Sequence, residues 1–562
     1  MWIALTELKR LTCCGLVGLG LALGLNAADG PARPAAFGMA HATMSGDGAS
    51  SAAARTDTRA LLSAYVRRFN EKDDECYKNA IPNSGAEAFL LKNAPRFACP
   101  DKDIERTYYF RWWTFRKHLR NNLGFWTVTE FLPKVYWSGK DNTIVCPAGH
   151  HLREGRWLRD PKFMRDDATF WLSDKDATHR WLYSSWLFTG TRQIAEVSGE
   201  DDLPARLLDD AVAYYDRWEK GVDRHGARMG GDGRGGFLSL DACEGSECSL
   251  GGDGYKPLFA CAMWSEAKSI AAVARSCGRT ALSEAFEAKA ETNRLSILAR
   301  CWNEDLAFFV TTPTNGVLGK VRELHGYAPW YFGVPTDKVP DWLQLMDPNG
   351  FAARYGLTFP ERRAPGFVLD YKGHECKWNG PSWPFATSIA LTAFANDLQD
   401  SSERAANPLM LTSFGLLMRQ YAAQHVLRRV DAKTGEESAV PWIDENLNPD
   451  TGEWLARRII LDTPSMVKAF ARERGKDYNH STFCDLVISG LVGFRPNGAK
   501  GFEVKPLCPR SWPFFTLENL RYRGHDVSIR WRSGSGLLAE VDGKVVARRA
   551  DLGSLEVRLE ED

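Results

Sequence analysis

From about Thr56 to Gly493 the chain repeats one theme: an amphipathic helix, a long loop rich in Gly, Pro, Asp and Trp, then another helix. Apolar side chains spaced to fall on one helical face mark the clearest members. Leu208, Val212, Tyr215 and Trp218 follow Pro204, a residue suited to a first turn. Phe259, Met263, Ala267 and Ile270 form a second helix that stops at Cys277-Gly278, and Phe286, Ala290 and Ile297 form a third. Met410, Phe414, Leu417 and Tyr421 form a fourth after Pro408. Weaker patterns near residues 58–70, 106–124, 161–173, 179–198, 338–354, 382–397, 463–473 and 480–492 bring the total to about twelve.

Twelve helices are what six helical hairpins require. Closed into a ring, such hairpins give an inner and an outer layer with loops at two ends, one end forming a funnel. The predicted class is mainly α, an (α/α)6 barrel (six-hairpin toroid) over residues 56–499. A small C-terminal β domain follows over 500–562, where Val504, Val527, Ile529, Trp531, Val541 and Val545 sit in short runs broken by Arg523-Gly524-His525 and Asp542-Gly543.

Residues 1–28 have the texture of an export signal: Lys9 and Arg10, an apolar run from Leu11 to Leu25, then Asn26, Ala27 and Ala28. The run is shorter than the ~20 residues a spanning helix needs, and an uncleaved anchor is the alternative. Residues 29–55, poor in large apolar side chains, read as a flexible leader. The chain is therefore expected to be exported, to the periplasm or beyond the cell. Export permits disulfides, and the closest candidates are Cys76 with Cys99 and Cys243 with Cys248. No CxxC pair supports structural zinc.

Lys+Arg and Asp+Glu number 71 each, so bulk charge gives no basis for binding nucleic acid or an anionic membrane. The 20 Trp residues suit either sugar-ring stacking or a large core. Four loops carry candidate chemistry. Asp241, Glu244, Glu247 and Asp253 crowd a Gly-rich loop before the helix that starts near Lys256, and mutual repulsion there raises proton affinity, as a general acid needs. A solvated acidic loop or a calcium site is the alternative. Trp378 and Trp383 offer flat faces where Pro381 and Pro384 fix a helix start. Asp444 and Glu445 follow Trp442, and a carboxylate held against indole rings loses water and gains proton affinity. Tyr478 and His480 precede an apolar helix and suit hydroxyl binding or capping. His150 and His151, beside Arg153, Glu154 and Arg156, would point to opposite sides of a strand and so do not make a metal pair.

The order of these motifs resembles the (α/α)6-barrel glycoside hydrolases over roughly residues 100–495, within them the mannosyl-oligosaccharide glucosidase and mannosylglycerate-hydrolase-like group. It rests on Trp378-Asn-Gly-Pro-Ser-Trp-Pro and on Glu445 followed by Asn-Leu-Asn-Pro-Asp-Thr-Gly. The resemblance implies an inverting hydrolase of α-linked oligosaccharides or glycan side chains. Its base position matches Glu445. Its acid falls on Glu244 in one register and on Glu247 in another, each a Glu where the group has Asp. It further implies that Trp378, Trp383, Trp442 and Asp444 bind sugar at the reacting subsite, with Tyr478 and His480 on its hydroxyls. No cofactor is implied. Two other functions fit the same loops: a polysaccharide lyase, with Tyr478 and His480 removing a proton while Arg457 or Arg458 neutralises a uronate, and a carbohydrate-binding protein with inert acids.

Overall fold

The computed structural model describes residues 57–559 apart from 225–226, 431–433, 436 and 471–472. The export segment and leader expected over 1–28 and 29–55 lie outside the described residues. The fold is mainly helical, with a β region. Helix Pro257–Ser276 opens with Pro at its first turn and turns back at Gly278 (φ 71°) into helix Thr280–Cys301, the longest hairpin of the fold. Pro384–Asp400 and Pro408–Gln424 make a second pair, again each opened by a proline. Thr58–Lys72, Lys102–Phe115, Lys162–Ser173, Leu187–Ser198 and Leu208–Lys220 supply further helices near the expected positions.

Three expected helices are shorter than their apolar spacing suggests. Residues 338–354 carry Pro340, Pro348 and Gly350 and form only a 3-10 turn at Trp342–Leu345. The pattern at 463–473 gives Pro464–Ala469, and that at 480–492 widens into a π-helical turn at Leu486–Leu491. His150 and His151 stand on helix Ala148–Gly155, not on a strand. Its far end ties down the segment under the cavity described below. Glu154 accepts the Phe483, Cys484 and Asp485 N–H groups at 3.1, 2.8 and 2.7 Å, and Arg153 and Arg156 flank Asp485 at 2.7 and 2.6 Å.

The C-terminal strands are antiparallel. Phe514–Tyr522, His525–Arg532, Gly536–Val541 and Lys544–Arg549 form a meander, and Arg96–Ala98 adds to its edge with Arg96 opposite Glu518. Both expected turns close hairpins, with positive φ at Arg523 and Gly524 and at Asp542 and Gly543, the signature of a two-residue turn that matches strand twist. Trp112, Trp157, Trp171, Trp218, Trp383 and Trp454 are fully buried, so much of the Trp content is core. The expected disulfides do not form: the thiols of Cys76, Cys99 and Cys248 are free, with Cys99 buried and Cys76 and Cys248 exposed.

Candidate active site

Loops following several helices converge on a cavity of about 570 Å³. Glu130, Glu247, Glu375 and Glu445 all line it, with Trp378, Trp383, Tyr478 and His480 among its walls. The acidic loop is folded by its own first residue. Asp241 accepts the Cys248 N–H at 3.0 Å and the Ala242 N–H at 2.6 Å through its carboxylate, while its carbonyl accepts the Ser246 N–H at 2.9 Å. The chain reverses at Gly245 (φ 79°), where a Cβ would come within 2.5 Å of Cys146 Sγ, so only glycine fits.

That reversal sends the two candidate acids in opposite directions. Glu244 turns into the protein, 3.3 Å from Lys256 Nζ and 3.3 Å from His325 Nδ1, and accepts the Phe259 N–H at 3.2 Å. Burial alone would raise its pKa, but Lys256 and His325 more than offset that and hold it near 2. It is a permanently ionised structural carboxylate and does not line the cavity. Glu247 faces the cavity. Burial pushes it up to about 7, with Asp241 and Glu445 adding repulsion, while the Cys376 thiol donates to its Oε2 at 3.0 Å. A carboxyl that keeps its proton near neutrality has the property a general acid requires.

Glu445 sits 3% exposed. Burial raises its pKa, opposed by Arg474, which bridges it to Glu375, the latter at 2.7 Å. The guanidinium is caged by Phe470, Phe131 and Trp137 at 4.6, 5.4 and 5.5 Å. Ion pairing favours the deprotonated form, as a general base requires.

The remaining expected binding residues divide. Trp378 and Trp383 stack with ring centres 4.0 Å apart and planes 8° from parallel. Tyr478 hydrogen-bonds Glu130 through its hydroxyl and packs 4.1 Å from the His480 ring, which burial keeps neutral. Trp442 does not wall this cavity. It lines a separate cleft of about 240 Å³ with Asp73, Trp113 and Lys476. Asp444 is also behind the cavity, accepting the Glu445 N–H at 2.9 Å and pressed so close to Gly475 that a Cβ there would lie 1.8 Å from its Oδ1. It shapes the loop that carries Glu445.

Glu130 and Arg474 have no motif of their own, whereas Glu375 opens the loop that carries Trp378 and Trp383. The one cue for Glu130 is a lone acid between apolar Val128 and Phe131. Burial raises Glu130 to about 8, with the Tyr478 hydrogen bond opposing, so it carries a proton near neutrality.

Four buried or half-buried carboxyls thus share one cavity with a stacked pair of indoles. The chain belongs to the family of the mannosylglycerate hydrolase MGH1-like glycoside hydrolase domain, whose model matches residues 140–229 and 228–481. Among solved structures it is similar to a protein titled "Sialidase", at 31% identity and TM-score 0.77, over 89% of this chain and 46% of that one. It shares its fold with the GH78 family rhamnosidase of Bacillus sp. GL1, at 13% identity and TM-score 0.50, over 80% of this chain and 41% of that one. The chain thus spans less than half the length of these two structures.

Proposed function

We propose that the protein is an inverting glycosidase in which Glu247 is the acid and Glu445 the base. The observation that carries this is their sharing of one cavity in opposite environments, Glu247 able to hold a proton and Glu445 paired with Arg474. Glu247 gives its proton to the glycosidic oxygen as the bond to the anomeric carbon breaks. Glu445 takes a proton from the water attacking that carbon from the opposite face, an arrangement that needs carboxyls roughly 6.5–9.5 Å apart. The Trp378–Trp383 stack supplies a flat apolar face, and Glu130 with Tyr478 and His480 supplies donors and acceptors for sugar hydroxyls. We read the helical pairs as the hairpins of an (α/α)6 toroid with this cavity at its loop end.

The substrate class we favour is an uncharged α-linked oligosaccharide or glycan side chain. Among the described residues Arg474 is the one lysine or arginine lining the cavity, and it is already bound to two carboxylates, which counts against an acidic sugar. The same point counts against a lyase. Arg457 pairs with Glu473 at 2.9 Å, Arg458 with Asp462 and Glu453, and neither lines the cavity. Export follows from the basic and apolar N-terminus, and fractionation of expressing cells tests it. The function is tested by a panel of natural and chromogenic neutral and acidic glycosides, with wild type, Glu247→Gln and Glu445→Gln side by side. Release of a neutral sugar by wild type alone is expected; equal activity of all three proteins would overturn the assignment.

A further inference from the structure

The four residues Glu375 to Trp378 touch both halves of the proposed site. The Trp378 N–H donates to the Glu247 carbonyl at 3.0 Å, and the Cys376 thiol donates to Glu247 Oε2 at 3.0 Å. On the other side, Asn446 Nδ2 donates to the Glu375 carbonyl at 3.0 Å, and the Glu375 carboxylate takes Arg474 Nη1 at 2.7 Å while Arg474 also holds Glu445. One short stretch of backbone is therefore bonded to the Glu247 loop by main chain and by side chain, and to the Glu445 loop directly by Asn446 and, through Arg474, by the Glu375 side chain. Adjacent side chains in such a non-helical stretch diverge, so Glu375 and Cys376 reach opposite loops. The stretch then runs through Pro381 into helix Pro384–Asp400, a rigid support.

We propose that the Glu375–Trp378 stretch is a clamp that holds Glu247 and Glu445 at their working separation, with Cys376 as the positioning residue of the acid. A thiol is suited to this place. It donates one weak hydrogen bond, enough to fix the carboxyl rotamer, and does not add a positive charge that would strip the acid of its proton. The other titratable groups bearing on Glu247 are Asp241 and Glu445, which repel its charged form, and Glu130, Tyr183 and Cys146 nearby in the cavity wall. None of these donates a hydrogen bond to its carboxyl; besides the backbone of Glu247 itself, the donor to it is the Cys376 thiol, which comes from another loop.

The inference rests on Glu247 being the acid, and two measurements separate its failure from failure of that role. The first needs no turnover. Iodoacetamide alkylates a thiolate, whose sulfur forms a bond to the CH2 carbon as iodide leaves, the thiol proton having gone to solvent. At pH 9, where Glu247 is ionised, burial and then the Glu247 carboxylate disfavour the Cys376 thiolate, so Glu247→Gln should speed peptide-resolved labelling of Cys376 about tenfold, while exposed Cys277 labels at the same rate in both proteins. Equal Cys376 rates would overturn the proposal even if the protein is a glycosidase. The second is the pH dependence of kcat/KM on whichever glycoside the panel identifies. Cys376→Ala removes a bond that favours the ionised acid, so the basic limb should move up by about 0.5–1 pH unit, and Cys376→Ser, which restores a donor, should bring it back. A basic limb unmoved in Cys376→Ala, or moved equally in Cys376→Ser, would contradict the clamp.

Discussion

Glu244 and Glu247 lie three residues apart on one loop, and the structure gives them opposite effects on stability. Glu244 is held near a pKa of 2 by Lys256 and His325, against an ordinary value of 4.5. A depressed carboxyl stabilises the fold above its unfolded pKa and loses that contribution as pH falls through its folded value. The difference of about 2.5 units corresponds to about 3 kcal/mol at neutral pH. Glu244→Gln should therefore destabilise by about this much at both pH 5.5 and pH 8, with the Lys256 ammonium left buried and unpaired. For a chain of this size that is roughly 3 °C in Tm.

Glu247 is raised to about 7, so its charge costs stability as pH climbs from 4.5 to 7. Glu247→Gln should raise Tm by roughly 3 °C at pH 8, and by about 1 °C at pH 5.5, where the wild-type acid already holds its proton when folded. The assay is a pair of thermal melts for each variant at the two pH values. A Glu244→Gln melt unchanged from wild type, or a Glu247→Gln melt that falls at pH 8, would refute the division of structural from catalytic acid.

Arg474→Met leaves Glu375 and Glu445 buried without their cation, so the base keeps its proton. The acidic limb of the activity profile should rise by about one pH unit, as read from kcat/KM against pH, with activity at pH 6 down by up to about tenfold. Trp378→Ala removes half of the indole stack and should raise KM about tenfold, whereas Trp442→Ala, facing the separate cleft, should leave KM within about twofold. Gly245→Ala forces a Cβ onto Cys146 and a strained φ. Limited proteolysis should cut the 241–250 loop faster, with activity lost in proportion.

The helical part of the fold was legible because its signal is local. Pro257, Pro384 and Pro408 each stand at the first turn of a helix, and the 3.6-residue apolar spacing after them is a property of consecutive residues. Spacing misled where prolines and glycines interrupt it, as at 338–354. The two C-terminal turns were legible for the same reason, but the pairing of Arg96–Ala98 with Phe514–Tyr522 joins residues some 420 apart and leaves no local trace.

The site shows the same limit. Trp378, Trp383 and Glu445, which line the cavity, were legible because turn chemistry marks their loops. The choice between Glu244 and Glu247 was not, since it depends on Lys256, His325 and Cys376 arriving from elsewhere in the chain. Trp442 and Asp444 sit beside Glu445 in sequence yet behind it in space. Glu130 and Arg474 became visible only through their partners, Tyr478 and the Glu375–Glu445 pair.

Proton NMR of the sugar released in the first minutes from an α-glycoside substrate bears most directly on the pairing of Glu247 with Glu445. Water delivered by Glu445 from the face opposite the leaving group yields the β-anomer first, with the α-anomer appearing only by mutarotation. An α-anomer as the initial product would mean that no such water attacks, and the acid and base roles given to these two residues would be wrong.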